Sequence, residues 1–142
     1  MIIQASPAVA TVAATVLVVE DDFLVRLCAA DALSEAGFSV LQADSGPDAL
    51  RILEDGPVDV VFTDINMPGA FDGAGLAQRV RHRWPETAVV VTSGRGCPQE
   101  DLGEALFVPK PYMPDSLARI IEEVLRFHAG HDAAGQVRCL AG

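Results

Sequence analysis

Acidic side chains follow two apolar segments that are predicted to be strands. The segment 58–68 reads VDVVFTDINMP, and its β-branched residues predict a strand buried on both faces, with Asp64 at its carboxyl end. The shorter segment 16–19 runs into Glu20 and Asp21. Open α/β sheets carry their sites in a crevice beyond the carboxyl ends of the strands. These carboxylates are therefore candidates for chemistry rather than for packing.

A hydroxyl and an ammonium group stand at two further strand ends. Thr92 follows the predicted strand 88–91, and Lys110 follows the predicted strand 107–108. In the flavodoxin-like strand order 2-1-3-4-5, the four strands that carry these groups are neighbours. Their side chains therefore meet in one crevice at the carboxyl ends of the strands, which we call the mouth. Asp21 and Asp64 supply the hard oxygen ligands that suit Mg²⁺. Repulsion between the carboxylates also favours a bound cation.

Strand and helix patterns alternate along the chain. The predicted strands are 16–19, 38–43, 58–64, 88–91 and 107–108. The predicted helices are 22–36, 45–56, 73–84, 98–106 and 114–128. Five strands alternating with five helices predict a parallel, doubly wound sheet with helices on both faces and a short fourth helix.

Composition narrows the classes of function. The 142 residues fit one domain, and a formal charge of −10 with only ten Lys and Arg argues against nucleic-acid binding. Three cysteines match no metal-site spacing, so we expect a reducing compartment, no disulfide framework, and Cys28 in the core. No apolar run approaches the roughly 20 residues of a membrane span, and the first fifteen residues lack the charged region of a secretory signal. The protein is expected to be soluble and cytoplasmic.

Taken together, these residues resemble the receiver domain of bacterial two-component response regulators, of the chemotaxis-receiver-like type. The resemblance rests on the acidic pair, the D-x-N-M-P motif at Asp64, Thr92, and K-P at Lys110, each at a strand end. It covers about residues 15–128. We expect a flexible leader over 1–14 and a flexible tail over 129–142. No second domain is expected, which predicts a stand-alone receiver.

The resemblance implies a role for each matching residue. Asp64 would be the phosphoacceptor, attacking a phosphoryl group to form an aspartyl phosphate. Asp21 would be the principal Mg²⁺ ligand, with Asp64 beside it and Glu20 acting through metal-bound water. The backbone carbonyl of Asn66 would complete the protein's share of the coordination. Lys110 would pair with a phosphoryl oxygen.

The family also implies a switch. Thr92 would move toward the phosphoryl group as a hydrogen-bond donor, and Phe107, three residues before the lysine, would take the space behind it. This movement would change the face formed by the fourth helix, the fifth strand and the fifth helix. The Lys110–Pro111 bond is expected to be cis.

Two features depart from the common family pattern. The loop 68–73 is one residue longer than usual, and the segment 92–110 leaves room for only about two turns of the fourth helix. The short helix puts in doubt dimerisation through the face it borders, so we expect a monomer or a weak homodimer.

Two alternatives come from other classes of protein. Haloacid dehalogenase-like phosphatases also use an aspartyl phosphate and Mg²⁺, but their nucleophile lies in a D-x-D pair after the first strand, and this sequence has none there. A pseudo-receiver would be a binding module that needs no phosphate. If the chain is a receiver, we expect it to catalyse only its own phosphorylation and dephosphorylation and to have no other enzymatic activity.

The resemblance to receiver domains also implies the partners. A sensor histidine kinase or a histidine phosphotransfer protein would supply the phosphoryl group, and a downstream protein would recognise the changed surface. The sequence leaves open whether the output is an adaptor surface, a relay step or a phosphate sink.

Overall fold

Six parallel strands form one sheet in the computed structural model, which describes residues 13–98, 102–129 and 138–139. The strands are β1 (Thr15–Val19), β2 (Ser39–Ala43), β3 (Val60–Asp64), β4 (Ala88–Ser93), β5 (Leu106–Pro109) and β6 (Arg138–Cys139). Their order is β2-β1-β3-β4-β5-β6. The predicted flavodoxin-like order is confirmed, and β6 is an additional strand at the β5 edge.

The helices of the described residues begin close to their predicted starts. They are α1 (Phe23–Glu35), α2 (Gly46–Asp55), α3 (Gly73–Arg83) and α4 (Pro114–Ala129). A side chain caps each of the first three helices: Asp22, Ser45 and Asp72 accept hydrogen bonds from main-chain amides of the first turn. These caps satisfy amides that have no partner inside the helix.

The two faces of the sheet are covered by different helices. Val16 and Val18 of β1 pack on the face of α1 and α4, whereas Leu17 and Val19 pack on the face of α2 and α3. This alternation follows from the two-residue period of a strand. The central strand β3 is buried along its whole length, as its apolar sequence predicts.

The predicted fourth helix, 98–106, is not a helix in the described residues. Residues 94–98 and 102–105 form turns and irregular backbone, and 99–101 lie outside the described residues. Gly96 and Gly103 have φ values of 89° and 67°, which a right-handed helix does not allow. Leu102 and Ala105 are buried against Phe107, so this connection covers the sheet without a helical turn.

Two expectations about cysteines are wrong. Cys97 is disulfide-bonded, contrary to the prediction of no disulfide. Cys28 is a free thiol that is exposed on α1 rather than buried in the core. The buried stripe of α1 is narrow and consists of Ala29, Ala30 and Leu33, which leaves the neighbouring residue at the surface.

The predicted leader and tail fall largely outside the described residues. Residues 1–12 are not described, and of 130–142 only the strand β6 is. Among the described helices, none combines the length and the apolar character needed to cross a membrane.

Candidate functional site

The carboxyl ends of four neighbouring strands bring the predicted site residues together. In the sheet register Asp64 of β3 lies beside Thr92 of β4, and Ser93 lies beside Pro109 of β5. The main-chain amide of Lys110 then donates to the carbonyl oxygen of Ser93 at 3.0 Å. The sheet therefore places β3, β4 and β5 so that the residues that follow them share one mouth.

Three carboxylates form the acidic part of this mouth. One oxygen from each of Glu20, Asp21 and Asp64 lies within 4.8 Å of the other two. Glu20 and Asp64 are buried, whereas Asp21 is exposed. Two backbone contacts hold the loop of Glu20: its carboxylate accepts from the Asp22 amide at 3.1 Å, and its carbonyl accepts from Arg26 at 2.7 Å.

Lys110 is the cation of the mouth and the single lysine of the chain. Its Nζ donates to Glu20 Oε1 and to Asp64 Oδ2, both at 3.0 Å. The Lys110–Pro111 peptide bond is cis, as predicted. Of the three groups, the lysine side chain is 26% exposed, and the two carboxylate side chains are 6% and 8% exposed. One ammonium group thus offsets two nearly buried negative charges.

The protonation states of Glu20 and Lys110 depend on their burial and on the ion pairs that they form. Burial, joined by the negative charge of Asp64, raises the pKa of Glu20, although the Asp22 amide and Lys110 oppose the shift. Burial acts to lower the pKa of Lys110, but hydrogen bonds to Glu20 and Asp64 outweigh it and raise that pKa. The lysine therefore stays charged at neutral pH.

The donor set of the mouth fits a hard divalent cation. The three carboxylates offer only oxygen ligands, and at least one of them faces solvent, which leaves space for the water ligands that Mg²⁺ retains. Burial and the neighbouring carboxylate of Asp64 disfavour the charged form of Glu20 and raise its pKa. A cation would relieve this effect.

The loop after β3 is held to Asp64 and to β4. The main-chain amide of Asn66 donates to Asp64 Oδ1 at 3.1 Å, and its side-chain Nδ2 donates to Ser93 Oγ at 2.9 Å. The two oxygens of the Asp64 carboxylate are therefore held by different groups, Asn66 on one side and Lys110 on the other.

Thr92 and Phe107 lie behind the mouth. Thr92 is 1% exposed, and its hydroxyl oxygen has no hydrogen-bond partner among the described residues. Such a buried hydroxyl is unfavourable by about 1–3 kcal/mol until it finds an acceptor. Phe107 is buried in a cluster with Val91, Ile65 and Leu102.

The first turn of α3 packs directly on the main chain of Asp64. Gly73 donates its amide to the Ile65 carbonyl at 2.9 Å. A Cβ at Gly73 would lie 1.9 Å from the Asp64 carbonyl oxygen and 2.7 Å from Ile65 Cα. Only glycine fits this contact, which fixes the peptide that carries the carboxylate.

Gly73→Ala is expected to destabilise the fold by about 2–4 kcal/mol, because the added methyl group overlaps backbone atoms that cannot rotate away. Urea denaturation measures this loss. Gly56→Ala is the control, since nothing lies within 4 Å of a Cβ there, and it should stay within about 0.5 kcal/mol of the native protein. Equal stability of the two variants would contradict the prediction.

Comparison with known proteins decides the family. Residues 16–122 match the family described as "Response regulator receiver domain". The chain belongs to this family. The receiver domain is also 34% identical to the solved receiver domain of the hybrid histidine kinase CckA, covering 78% of this chain and 98% of that one with a TM-score of 0.67. A chemotaxis response regulator, CheY4 of Vibrio cholerae, is 26% identical over 80% of this chain and 99% of its own, with a TM-score of 0.72.

Curated relatives are longer proteins. The sensor kinase CckA of Brucella abortus is 36% identical over 121 residues, which are 79% of this chain and 12% of the kinase. An NtrX-like putative response regulator of Rickettsia felis is 30% identical over 75% of this chain. The chain thus spans about an eighth of the first relative and about a quarter of the second.

Three residues that hold the receiver site were not singled out from the sequence. Ser93, Arg26 and Gly73 contact Asn66, the Glu20 carbonyl and the Asp64 peptide, respectively. The signal for Ser93 was its position directly after Thr92, and that for Gly73 was a glycine directly after a helix cap. The contact of Arg26 depends on a side-chain conformation that spacing does not reveal.

Tyr112 gives the receiver domain a pH-dependent signal. It is the single tyrosine of the chain, and it packs edge-on against Phe62 with ring centroids 5.5 Å apart. Burial raises the pKa of Tyr112 to about 12 from an ordinary value of 10.0. Ultraviolet titration of the native protein should therefore show tyrosinate forming near pH 12.

The raised pKa of Tyr112 also determines how the stability of the fold changes with pH. Between about pH 10 and pH 12 the unfolded chain loses the tyrosine proton and the native chain keeps it, so stability falls as the pH rises. The control is the protein in denaturant, which should titrate near the ordinary value. A native protein that titrates together with the denatured one would contradict the raised pKa of Tyr112.

Proposed function

We propose that this receiver domain accepts one phosphoryl group on Asp64 in a Mg²⁺-dependent reaction and signals through a surface that changes when it is phosphorylated. The observation that carries the proposal is the joint position of three carboxylates and Lys110, with the lysine ammonium 3.0 Å from the Asp64 carboxylate. Membership of the receiver family supports it.

The phosphoryl step assigns a task to each group. A carboxylate oxygen of Asp64 forms the new bond to phosphorus, and the bond from phosphorus to the donor breaks, with the electron pair leaving on the donor. Lys110 stabilises the negative charge on the phosphoryl oxygens. Glu20, Asp21, Asp64 and the Asn66 carbonyl would hold Mg²⁺, which supplies further charge stabilisation when bound. The domain then catalyses only its own phosphorylation and dephosphorylation.

The orphaned hydroxyl of Thr92 supports the switch. A phosphoryl group on Asp64 would bring strong acceptor oxygens beside a buried donor that has no partner among the described residues. Movement of Thr92 toward that group would change the packing around Phe107, which lies in the adjacent strand. Because the connection 94–98 and 102–105 is irregular there, the altered surface would be the turns that flank β5.

The partner that supplies the phosphoryl group is proposed to be a histidine kinase or a histidine phosphotransfer protein. Exposed apolar side chains follow the site residues in sequence: Phe23 and Leu24 come shortly after Asp21, Met113 comes shortly after Lys110, and the three are 59%, 68% and 69% exposed. A groove of about 350 Å³ next to Lys110 runs between α1 and the start of α4 and is lined mainly by apolar residues. Exposed apolar surface of this kind marks a protein contact. We propose that the partner binds along this groove with its phosphohistidine toward Lys110 and Asp64.

Intact-mass spectrometry after incubation with acetyl phosphate tests the proposal. The expected result is a gain of one phosphoryl group with Mg²⁺ and no gain with a chelator. A phosphohistidine-carrying donor protein serves as a second phosphoryl source. No gain from either source would overturn the proposal and favour the pseudo-receiver, a binding module that needs no phosphate.

A further inference from the structure

Ser93 connects three of the loops that form the mouth. It is 3% exposed at the end of β4. Its hydroxyl oxygen accepts from Asn66 Nδ2 at 2.9 Å and from the Arg95 amide at 3.0 Å. Its carbonyl oxygen accepts from the Lys110 amide at 3.0 Å. One buried serine therefore touches the loop after β3, the loop after β4 and the lysine that follows β5.

The bond from Ser93 to Asn66 continues the contact between two strands beyond the sheet. Main-chain pairing of β3 with β4 ends at Asp64 and Thr92, and the Ile65 amide still reaches the Thr92 carbonyl at 2.9 Å. One residue beyond Ile65 and Thr92, a side-chain bond joins Asn66 to Ser93. Asn66 itself is exposed between the buried Ile65 and Met67, so packing holds its neighbours but not its own side chain.

The position of Asn66 matters because its main chain faces the reacting carboxylate. Its amide donates to Asp64 Oδ1 at 3.1 Å. A residue held by one main-chain bond to Asp64 and one side-chain bond to Ser93 has little freedom to turn its peptide. Residues that orient metal ligands through hydrogen bonds strongly affect metal affinity.

We propose that Ser93 is a positioning residue for the Mg²⁺ site: its hydroxyl holds Asn66 so that the Asn66 main chain is oriented toward the cation and the Asp64 carboxylate. The inference rests on the proposed function for the identity of the cation and adds a residue that acts only through Asn66. The role of the Ser93 hydroxyl thus differs from that of the Thr92 hydroxyl, which has no hydrogen-bond partner among the described residues.

Ser93→Ala tests the inference by calorimetric titration with Mg²⁺ alone, without a phosphodonor. The expected result is a Mg²⁺ dissociation constant raised about 3- to 10-fold, because the hydrogen bond that orients Asn66 is lost. The phosphorylation rate with acetyl phosphate should fall by a similar factor at limiting Mg²⁺. It should return to the native value at saturating Mg²⁺.

Thr87→Val is the matched control. Thr87 is buried just before β4 begins, and its hydroxyl donates to the Val58 carbonyl at 2.8 Å, at the opposite end of the strand from Ser93. This variant loses one hydrogen bond of a buried hydroxyl, whereas Ser93→Ala loses two, so its thermal stability should fall by no more than that of Ser93→Ala. Its Mg²⁺ affinity should equal that of the native protein.

A double-substitution cycle identifies the bond as the cause. Asn66→Ala removes the side-chain amide but keeps the main-chain carbonyl, so it should weaken Mg²⁺ binding as much as Ser93→Ala does. The double variant should be no weaker than either single variant, because both remove the same contact. Additive effects would overturn the inference.

Two other outcomes would also overturn the inference and leave the proposed function intact. One is native Mg²⁺ affinity in Ser93→Ala, and the other is a loss of phosphorylation rate that saturating Mg²⁺ does not restore. A native protein that neither binds Mg²⁺ nor accepts a phosphoryl group would instead overturn the proposed function itself.

Discussion

Asp64→Asn is expected to abolish phosphoryl acceptance, with a rate loss on the order of a thousandfold or more. A carboxamide lacks the negative charge and the nucleophilic oxygen from which an aspartyl phosphate forms. The substitution changes little in shape. Asn can still accept from either the Asn66 amide or Lys110, which hold the two carboxylate oxygens of the native residue. Intact-mass spectrometry with acetyl phosphate and Mg²⁺ measures the loss.

Asp72→Asn is the matched control for this substitution. Asp72 is also an aspartate, lies at the far end of the loop that follows Asp64, and caps α3 through a 3.0 Å bond from the Gly75 amide. Since asparagine caps helices as well as aspartate does, the variant should fold and gain one phosphoryl group like the native protein. A phosphoryl group on Asp64→Asn, located by peptide mapping, would show that a different residue is the acceptor.

Lys110→Met is expected to slow phosphorylation about 100-fold or more at saturating Mg²⁺, because the reacting phosphoryl oxygens lose their fixed cation. The same variant should bind Mg²⁺ more tightly than the native protein. The ammonium group, which competes for the carboxylates of Glu20 and Asp64, is then absent. A variant that binds the cation better and reacts more slowly would separate the role of the lysine from that of the metal site.

Stability provides a second measurement on Lys110→Met. Two nearly buried carboxylates lose their partner, so we expect a loss of roughly 2 kcal/mol without Mg²⁺. This is less than for a fully buried pair, because the lysine side chain is 26% exposed. Mg²⁺ should restore part of the loss. Arg119→Met, which removes a positive charge on α4, is the control, and a near-native rate for Lys110→Met would contradict the assigned role.

The parts of the fold that depend on the sequence pattern alone were predictable. Buried parallel strands need continuous apolar runs, so β1, β3 and β4 were visible, and the charged or polar residues that end them marked the mouth. The convergence of Glu20, Asp64 and Lys110 followed from strand order, because the carboxyl ends of neighbouring parallel strands lie at the same edge of the sheet.

Other features depend on contacts that periodicity does not encode. The segment before β5 has a few apolar residues at helical spacing, but its glycines at positive φ give turns instead of a helix. The exposure of Cys28 depends on how α1 is rotated against the sheet. The strand β6 pairs with the edge of β5, and no pattern in the sequence indicates this pairing. Ser93 required knowledge of the Asn66 side-chain conformation.

The single lysine makes the mouth separately visible by magnetic resonance. Isotope labelling of lysine alone would give one side-chain ammonium signal for the whole chain, and that nitrogen lies 3.0 Å from the Asp64 carboxylate. Its chemical shift would follow cation binding and phosphoryl occupancy in the purified protein, or after the labelled protein is added to an unlabelled extract, without assignment of the rest of the spectrum. By the same reasoning, reagents that couple proteins to beads through lysine amines attach at the mouth itself. Partner searches with this chain therefore need a different point of attachment.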